Sequence, residues 1–451
     1  MKAKAWRLYG ASDLRLEDVE LEPAGIDGVV VEIVANSVCV SDHKAVTLGP
    51  AHKRVPDDVA ADPVMVGHEM VGVVREVGEK WKGKFHEGQR VGIQPTLNVP
   101  GHEIDTVIGF CWHCVGGEST HVYLPSVVME MGCLLPYDGD AFFKCSLAEP
   151  ISCIVAGLRA NYHNRQDAHE HVQGIVDGGS MLLMAGCGAM GLGCIDIACH
   201  SPERRPRRLV VTEVDDERLT RAARAFGLAY ANGRADGTVN GVEVHFVNTK
   251  DLADPVAALK AYNTDGAGYD DIFVMAAVPA LISQCSDLLA YDGCLNFFSG
   301  PKDKDLTAAF NFYNVHYMMH HVAANSGSLV KDMVDSVDWI GRGILHPEVM
   351  VTHVGGLDSV ADTTLGLLAV PGGKRLVYTH LKLPMTAIKD FAELGRARTP
   401  AAPLFAELDR ICAAHNGLWS KEAEDYLLAH APKIEIGEPK ELIRERKMKC
   451  L

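Results

Sequence analysis

The first 150 residues alternate short apolar runs with Gly, Pro and Asp turns. Examples of these runs are GVVVEIVANSV, EMVGVVREVG, GQRVGIQP and STHVYLP. β-Branched residues in short runs bounded by turn residues are typical of strands, and several such runs at regular spacing indicate an all-β region. The pattern therefore predicts a barrel or sandwich over this part of the chain.

From about residue 175 the pattern changes to apolar strands that are mostly followed by helix-like segments. Six strand candidates lie in SMLLMA, RLVVTEV, VEVHFVNTK, YDDIFVMAAV, GCLNFFSGP and HVAANSG. Such alternation predicts a doubly wound parallel sheet. Beyond Tyr378 the chain is polar and helical in pattern, so the predicted fold class is α/β plus β with a helical C-terminal extension.

Composition narrows the range of partners. The 451 residues carry 43 Lys plus Arg against 59 Asp plus Glu, a net charge of -16, which argues against binding to nucleic acid or to an anionic membrane. We find neither an apolar signal segment at the start nor 18 uncharged apolar residues in a row, so we expect a cytoplasmic protein. The 13 cysteines are irregularly spaced, and their odd number argues against a disulfide framework.

A dinucleotide-binding motif follows the strand SMLLMA. Gly186, Gly188 and Gly191 spell G-x-G-x-x-G, with Ala189 and Met190 between the last two glycines, and a helix-forming segment follows. Glycines in this context allow a tight turn and a close approach to a pyrophosphate, which the helix N-terminus faces. The motif therefore predicts NAD binding.

The residue that selects between NAD and NADP is predicted to be Glu213. It ends the second strand, 22 positions after Gly191, close to the roughly 20 expected of the carboxylate that binds the adenosine ribose. A carboxylate there repels a 2′-phosphate and favours NAD, whereas the nearby Arg218 would weaken that preference, so NADP stays open. Asp215 is the second candidate for the acidic residue.

Candidate metal ligands precede the cofactor motif. Catalytic zinc sites take about three protein ligands from Cys, His and carboxylates. Cys39 lies in NSVCVSDHK, and His68 and Glu69 lie in the apolar run VMVGHEMVG, while Glu149 precedes a proline in SLAEPISC. Buried charges of this kind need partners. Neighbours on a strand point to opposite faces, so Glu69 joins His68 at one metal only if the chain bends at Gly67.

The order Cys-x-Ser-Asp, GHE, Glu-Pro and GCGAMGLG resembles the zinc-dependent medium-chain dehydrogenase family, which includes alcohol and sorbitol dehydrogenases. The resemblance covers residues 1 to about 380. It implies a GroES-like β-barrel catalytic domain that is interrupted by a Rossmann cofactor domain. The implied boundaries are 1–155 for the first part of the catalytic domain, 156–345 for the NAD-binding domain, 346–380 for the return and 381–451 for the helical extension.

The resemblance also implies residue roles around one catalytic zinc ion. The implied ligands are Cys39, His68 and Glu149, and Glu69 is a ligand or a near neighbour that exchanges with water. Zinc at this position acts as a Lewis acid on the substrate oxygen.

Three residues that follow Cys39 complete the implied centre. Ser41 matches the hydroxyl that relays the substrate proton, and Asp42 matches a carboxylate behind the ligands. His43 is the candidate that receives the proton next, although a histidine in a polar loop is more often merely solvated.

The chain departs from the family where many members bind a structural zinc through four cysteines. Only Cys111 and Cys114 have C-x2-C spacing in that stretch, with no second pair. The residues that would have to complete such a site are His102, His113 and His121. We therefore expect one catalytic zinc and no structural zinc.

Further stretches narrow the substrate. GPAHKRVPDDV, DGCLNFFSGP, VTHVGGLDSV and PGGKRLVY look like the L-sorbose-1-phosphate reductase group of this family. The implied reaction is reversible hydride transfer between NAD(P)H and a ketose phosphate, which yields a polyol phosphate. An example is the pair L-sorbose 1-phosphate and D-glucitol 6-phosphate.

A phosphorylated sugar requires cations near the metal, and HKR at residues 52–54 offers them, with Lys44 upstream. Our hypothesis is that Lys53 and Arg54 bind the phosphate. The alternative is a solvated turn before Pro56.

Three other functions stay open from the sequence. One is a redox-neutral sugar epimerase or lyase with tightly bound NAD, another is a dehydrogenase of unphosphorylated polyols, and the third is a binding protein without catalysis. We also expect a homo-oligomer, either a dimer or a tetramer. The aromatic stretch FNFYNVHY is assigned to packing or to a subunit interface rather than to the substrate pocket.

Overall fold

The computed structural model describes residues 1–101, 106–301 and 303–444. These residues form two compact units. Unit 1 contains Met1–Pro150, Leu329–Gly343 and the residues from Val351 onward, and unit 2 contains Ile151–Ser328 and Ile344–Met350. The implied boundaries differ from these units in two ways. Leu329–Gly343, which falls within the implied cofactor domain 156–345, groups with unit 1. Residues 151–155 and 346–350, which were assigned to the catalytic domain, group with unit 2.

The first part of unit 1 is rich in strands, as the alternating pattern predicted. Its strands are β1 (Lys2–Gly10), β2 (Asp13–Leu21), β3 (Val29–Val38), β4 (Val64–Met65), β5 (Met70–Val77), β6 (Arg90–Ile93), β7 (His121–Leu124) and β8 (Leu134–Pro136). Its helices are α1 (Val40–Leu48), α2 (Ser126–Glu130) and α3 (Phe142–Ser146), followed by α4 (Ala148–Ala160), in which the boundary to unit 2 falls.

Unit 2 alternates strands and helices. Its strands are β9 (Tyr162–Asn164), β10 (His171–Gln173), β11 (Ser180–Met184), β12 (Arg208–Glu213), β13 (Arg234–Val239), β14 (Val242–Asn248), β15 (Tyr269–Val274), β16 (Leu289–Phe297) and β17 (His321–Ala323). Its helices are α5 (Ala189–His200), α6 (Asp216–Ala225), α7 (Pro255–Lys260), α8 (Pro279–Leu288) and α9 (Phe312–Tyr317).

The remaining elements belong to unit 1. They are the helices α10 (Val330–Gly341), α11 (Val360–Leu365), α12 (Phe391–Arg396), α13 (Ala402–Ala414) and α14 (Lys421–His430), and the strands β18 (Val351–Gly356), β19 (Lys374–Tyr378), β20 (Thr386–Ala387) and β21 (Leu442–Ile443).

The large sheet of unit 2 has the order β13-β14-β12-β11-β15-β16-β17. All neighbours are parallel except β13, which runs antiparallel to β14. The six predicted strands are all present, so the prediction of a doubly wound sheet is confirmed. The strand order reverses at β11, between β12 and β15, and ligands of such sheets bind beyond the carboxyl ends of the strands at that point.

The larger sheet of unit 1 runs β20-β18-β19-β3-β5-β6-β8, with β7 paired to β3. Strand β3 is central because its apolar side chains, such as Val31 and Ile33, are fully buried. The returning strand β19 pairs with the end of β3, so that Arg375 lies opposite Val38. The sheet thus brings residues that are more than 300 positions apart in the sequence to the point where β3 ends.

The predicted C-terminal extension is built into unit 1. Strand β21 pairs in parallel with β2, and helix α14 inserts the buried Glu424. The Glu424 carboxylate accepts hydrogen bonds from the backbone N–H groups of Phe142 (2.7 Å) and Phe143 (2.8 Å) and from the Tyr378 hydroxyl (3.0 Å). Burial raises the pKa of Glu424 to about 7. The extension is therefore anchored to the start of α3 and to β19.

Each helix within the described ranges is too short or too polar to cross a bilayer.

Candidate active site

Cys39 lies where β3 ends and α1 begins. It precedes the first residue of α1, and its backbone N–H donates to Asp42 Oδ2 at 3.0 Å. The carboxylate thereby caps the first turn of the helix and fixes the backbone of Cys39. The same carboxylate uses its other oxygen for His68, whose Nδ1 lies 2.7 Å from Asp42 Oδ1.

His68 and Glu69 lie in the connection between β4 and β5. Gly67 before them has φ +92°, a backbone conformation that favours glycine. A Cβ at Gly67 would also lie 2.7 Å from the backbone N and from Cγ of Glu118. The bend that the sequence required at Gly67 is present, and it lets two consecutive side chains approach one point.

Three donor atoms of different chemistry converge there. The Cys39 sulfur, a ring nitrogen of His68 and a carboxylate oxygen of Glu69 all lie within 4.8 Å of one another. Thiolate, imidazole and carboxylate are the donors that zinc takes in catalytic sites, and a carboxylate behind the histidine, as Asp42 provides, is the usual support. These residues fit a zinc ion.

Asp42 also sets the electrostatics of the imidazole. Burial lowers the pKa of His68, but the Asp42 carboxylate and the Cys39 sulfur outweigh burial, so that the pKa stands well above its ordinary value. Because Asp42 accepts a hydrogen bond from Nδ1, the Nε2 atom of His68 faces the side of Cys39 and Ser41. The Ser41 hydroxyl donates to Cys39 Sγ at 3.0 Å and lies 3.3 Å from His68 Nε2.

Glu69 has a second partner that the sequence analysis missed. Its side chain is 0% exposed, its Oε1 forms an ion pair with the Lys374 ammonium group, and its Oε2 accepts a hydrogen bond from the Ser37 hydroxyl. Burial would lower the pKa of Lys374, but the Glu69 carboxylate raises it above its ordinary value. Lys374 would therefore compete with a metal ion for Glu69. The stretch PGGKRLVY contained a sequence signal for this ion pair, because Lys374 begins an apolar strand and a buried lysine needs a partner of opposite charge.

Glu149, which the resemblance implied as a ligand, lies close enough to Lys374 for its charge to act on that lysine. It is buried in the first turn of α4, and its charge is one of those that raise the pKa of Lys374. The group of three converging atoms contains Glu69 and not Glu149. Lys374 thus lies between two carboxylates and the thiol, where its charge offsets theirs.

His43 is held by the returning part of unit 1. Its ring is buried, and Nδ1 donates to the backbone carbonyl oxygen of Thr364 at 2.8 Å. This hydrogen bond leaves Nε2 as the atom that can accept a proton. The alternative interpretation, a merely solvated histidine in a loop, is wrong, because His43 lies within α1 and is 8% exposed.

A cluster of cations lies near His68, one of the candidate metal ligands. The Phe110 ring is 5.1 Å from the His68 ring, and the Arg54 guanidinium lies 5.4 Å from the Phe110 ring on which His52 also stacks. Burial lowers the pKa of His52, as do the charges of Arg54, Lys53 and Lys44. Lys53 itself is exposed. Phe110, which the sequence analysis did not single out, therefore connects the cations to the metal ligands.

The two cysteines with C-x2-C spacing have apolar surroundings. Cys111 and Cys114 are buried in the core of unit 1, and the Cys111 sulfur contacts the carbonyl oxygen of Val107 at 3.2 Å. His113 lies 3.2 Å from the Asp62 carboxylate. The His121 ring packs against the His380 ring, and burial lowers the pKa of His121 to about 4. His102 falls outside the described residues.

The glycine-rich motif of unit 2 joins β11 to α5. A Cβ on Gly191 would lie 2.0 Å from the carbonyl oxygen of Gly186, and a Cβ on Gly186 would lie 2.7 Å from the Val211 side chain. A Cβ on Gly188 would meet no atom within 4 Å. The first and third glycines are thus required for packing, whereas Gly188, with the partly exposed Ala189 and Met190, borders open space at the start of α5.

Glu213 ends β12, as predicted, and is buried there. Its Oε1 accepts a hydrogen bond from the Val214 N–H at 2.9 Å. Its Oε2 is buried without a hydrogen bond and lies 3.6 Å from the Arg218 guanidinium. An acceptor left open at the end of this strand fits a ribose hydroxyl. Asp215 instead caps α6, since its carboxylate accepts the Arg218 N–H at 2.9 Å.

A cavity of about 700 Å³ opens within unit 2 next to these residues. Its lining includes Met184, Val214, Asp215, Lys250 and Leu281. These residues come from the carboxyl ends of β11 and β12 and from the segments that follow β14 and open α8. The apolar part of the lining suits a flat aromatic base, which fits a dinucleotide.

The Rossmann unit with its glycine loop and the Cys-His-Glu centre of unit 1 together define a zinc-dependent dehydrogenase. Residues 25–143 match the alcohol dehydrogenase GroES-like domain. The chain belongs to the zinc-dependent medium-chain dehydrogenase/reductase family.

Relatives with similar sequences and a solved structure support this assignment. The chain is 43% identical to mannitol-1-phosphate 5-dehydrogenase of Aliivibrio fischeri, over 93% of this chain and 96% of the relative. It is 41% identical to L-sorbose 1-phosphate reductase of Klebsiella pneumoniae, over 95% and 98%. The crystal structure of 2R,3R-butanediol dehydrogenase from Bacillus subtilis shares the fold, with a TM-score of 0.65 at 20% identity over 83% of this chain and 99% of that one.

Proposed function

We propose that this enzyme interconverts a ketose phosphate and a polyol phosphate by hydride transfer with NAD(H). The names of the two relatives above, a mannitol-1-phosphate dehydrogenase and a sorbose 1-phosphate reductase, support this substrate class. L-Sorbose 1-phosphate and D-glucitol 6-phosphate are our example of such a pair. The observation that carries the proposal is that Arg54 and His68 both contact one aromatic residue, Phe110, at 5.4 and 5.1 Å from its ring.

We infer that Cys39 and His68 hold one catalytic zinc ion, with Glu69 as the third protein ligand when Lys374 releases it. Glu149 is the alternative third ligand. When bound, zinc supplies Lewis-acid stabilisation of charge on the substrate oxygen. The absence of a structural zinc stays a prediction.

Proton transfer is assigned to Ser41 and His43. The Ser41 hydroxyl has both the Cys39 sulfur and His68 Nε2 as neighbours, at 3.0 and 3.3 Å, so it is beside the centre at which the substrate alcohol would gain or lose its proton. The Thr364 carbonyl holds the His43 ring with Nε2 as the acceptor. His43 is the group to which we assign the proton after Ser41.

The phosphate is assigned to Arg54, with Lys53 as a second cation. Guanidinium groups bind phosphate oxygens through two parallel N–H donors, and they do so most strongly where water is partly excluded. Arg54 is half-buried against Phe110, which restricts its rotamers before a substrate arrives. In a chain with a net charge of -16, a local cluster of cations is needed to attract a dianionic sugar phosphate.

The cofactor is assigned as NAD rather than NADP. The open acceptor at Glu213 Oε2 supports this choice, because a ribose hydroxyl can donate to it while a 2′-phosphate would be repelled. Arg218 is 41% exposed and pairs weakly with Glu213, so it can turn towards a phosphate and allow some use of NADP.

A substrate panel tests the proposal. The zinc-loaded enzyme is supplied with NAD and, in turn, with hexitols and their monophosphates, and the absorbance of reduced nicotinamide is followed. We expect at least one hexitol phosphate to be oxidised with a kcat/KM at least tenfold above that of its unphosphorylated partner. Equal turnover of both forms would indicate a polyol dehydrogenase. Retention of NAD through desalting, with product formed but no net reduction, would indicate an epimerase or lyase.

We also propose a cytoplasmic homo-oligomer, a dimer or a tetramer. Helix α9 supports an interface, because none of its residues is buried and its aromatic side chains Phe312, Tyr313 and Tyr317 are 77%, 68% and 60% exposed. Large exposed aromatic groups in contiguous positions are more typical of contact surfaces than of free ones. Light scattering of the full chain gives the oligomeric state.

A further inference from the structure

A second group of possible metal ligands lies in unit 2, on residues that the proposed reaction does not use. Asp196 lies in the middle of α5, between Ile195 and Ile197, and its side chain is completely buried. A carboxylate in such surroundings is costly unless it has strong partners. Its partners are His200, one turn further along the same helix, and His346, from the segment Ile344–Met350.

The contacts of this group are short and share one oxygen atom. Asp196 Oδ1 lies 2.9 Å from His200 Nδ1 and 3.2 Å from His346 Nδ1. Asp196 Oδ2 accepts the backbone N–H of His346 at 2.7 Å. The two imidazole rings meet edge to face with centroids 4.7 Å apart. Both histidines therefore turn the same ring nitrogen towards one carboxylate.

This geometry is close to that of a metal site. One ligand atom from each of the three residues can be chosen so that all lie within 4.8 Å of one another. In a tetrahedral zinc site with bonds of about 2.0–2.2 Å, neighbouring ligand atoms are separated by about 3.3–3.6 Å. The two oxygen-to-nitrogen distances need to lengthen by only a few tenths of an ångström to admit an ion.

The placement of the ligands along the chain also fits. Asp196 and His200 are four residues apart, which puts both on one face of α5. His346 directly precedes the 3-10 helix Pro347–Met350, so its backbone is held in place by that helix and by Asp196. The His346 side chain is 43% exposed, which leaves a path for the ion and a position for water as the fourth ligand.

We propose that Asp196, His200 and His346 bind a divalent transition metal ion of the zinc type, separate from the catalytic ion. Two imidazoles and one carboxylate suit zinc and cobalt. The ion fastens Ile344–Met350 to α5. In the sequence, this segment lies between two segments of unit 1, Leu329–Gly343 and the residues from Val351 onward. The ion therefore stabilises the position of a short connecting segment within unit 2.

Cobalt titration of the metal-free full-length protein tests the site. A cobalt ion at the catalytic centre has the Cys39 thiolate as ligand and gives a thiolate charge-transfer band, whereas an ion bound by two histidines and an aspartate does not. We expect two equivalents of cobalt to bind, of which only one produces that band. The Cys39→Ser variant should lose the band and keep one equivalent.

His200→Gln and His346→Gln should each bind one equivalent fewer than the wild type and keep the thiolate band. The matched control is His245→Gln, because His245 Nδ1 also contacts an aspartate, Asp236, at 2.8 Å in the same unit but is in neither of the three-ligand groups found in the described residues. The control should bind as many ions as the wild type.

The stoichiometries decide between a metal site and a hydrogen-bonded cluster. A single equivalent in the wild type, all of it with the thiolate band, would overturn the proposal, and so would an unchanged count in both histidine variants. Binding of NAD, followed by fluorescence, shows that unit 2 of each variant is folded. This test does not depend on whether the proposed catalytic zinc site is correct. In the Cys39→Ser variant, the bound cobalt reports only the ion at Asp196, His200 and His346.

Discussion

Lys374 and Glu69 form an ion pair in which both side chains are almost fully buried, at 5% and 0% exposure. The two residues are 305 positions apart in the sequence, and they meet because β19 pairs with β3 at the metal centre. A buried charge that loses its partner is far more costly than an exposed one. Lys374 therefore stabilises Glu69 when no metal is bound, and zinc must replace it to recruit Glu69.

Replacing Lys374 by methionine should destabilise the metal-free protein. The Glu69 carboxylate would be left buried without a counter-charge, so we expect the free energy of unfolding to fall by about 3–5 kcal/mol. Zinc should stabilise Lys374→Met more than the wild type, because Glu69 is then available as a ligand. Urea denaturation with and without zinc measures both effects.

Lys331→Met serves as the control for that substitution. Lys331 forms an exposed ion pair with Asp335, so its loss should cost less than about 1 kcal/mol. Equal stabilisation of the wild type and of Lys374→Met by zinc would show that Glu69 does not become a ligand.

The metal ligands are predicted to differ in importance. His68→Ala removes a ring nitrogen that no neighbour replaces, so we expect loss of bound zinc after dialysis. Glu69→Gln should keep zinc with an affinity lower by about 10- to 100-fold, a change typical of a weakened ligand shell. Zinc content by elemental analysis separates the two variants, and complete loss of zinc from Glu69→Gln would reverse the ranking.

Glu213 is predicted to set the preference for NAD. Removing its carboxylate in Glu213→Ser abolishes a hydrogen bond to the ribose and frees Arg218, so kcat/KM should fall for NAD and rise for NADP, each by about tenfold. Asp215→Asn is the matched variant, because asparagine still caps α6. An equal change of the preference in Asp215→Asn and Glu213→Ser would contradict the assignment of the NAD preference to Glu213.

Glu424 should make stability depend on pH. Burial raises the pKa of Glu424 from 4.5 to about 7, so below about pH 4.5 the carboxyl is protonated in both the folded and the unfolded chain. As the pH rises towards 7 the unfolded chain loses this proton first, and the folded state becomes less stable by about 3 kcal/mol. Above about pH 7 the Glu424 carboxyl is ionised in both the folded and the unfolded chain, so the free energy of unfolding falls no further on its account.

Glu424→Gln should remove this contribution. We therefore expect the variant to gain stability relative to the wild type between about pH 5 and about pH 8, as followed by urea denaturation. A constant difference between the two proteins across that range would show that Glu424 titrates normally in the folded chain.

The sequence predicted the elements whose apolar runs are unambiguous. The six parallel strands of unit 2 and the glycine loop were visible in this way, whereas the bend at Gly67 was only a condition under which Glu69 could join His68. Strand β13 was not, because RADGTV is an edge strand with only Ala235 fully buried and so has no apolar run. Helix α10 falls within the range 156–345 that the resemblance implied for the cofactor domain, although it groups with unit 1.

The contacts that were missed are long-range. Lys374 reaches Glu69 through strand pairing between distant segments, and a single sequence does not show that pairing. Phe110 joins Arg54 to His68 for the same reason, since the three residues come from separate connections of unit 1. The donor types of the site were thus predictable, whereas the residues that compete for them or extend them towards the substrate were not.

The recognition of phosphate beside the metal centre is tested most directly by Arg54→Ala. The measurement is kcat/KM for a hexitol phosphate and for the same hexitol without phosphate, in the wild type and in the variant. A charge-assisted hydrogen bond contributes about 1.5–3 kcal/mol, so we predict a fall of about 10- to 100-fold for the phosphorylated substrate and almost none for the other. An equal fall for both substrates would contradict the assignment of Arg54 to the phosphate.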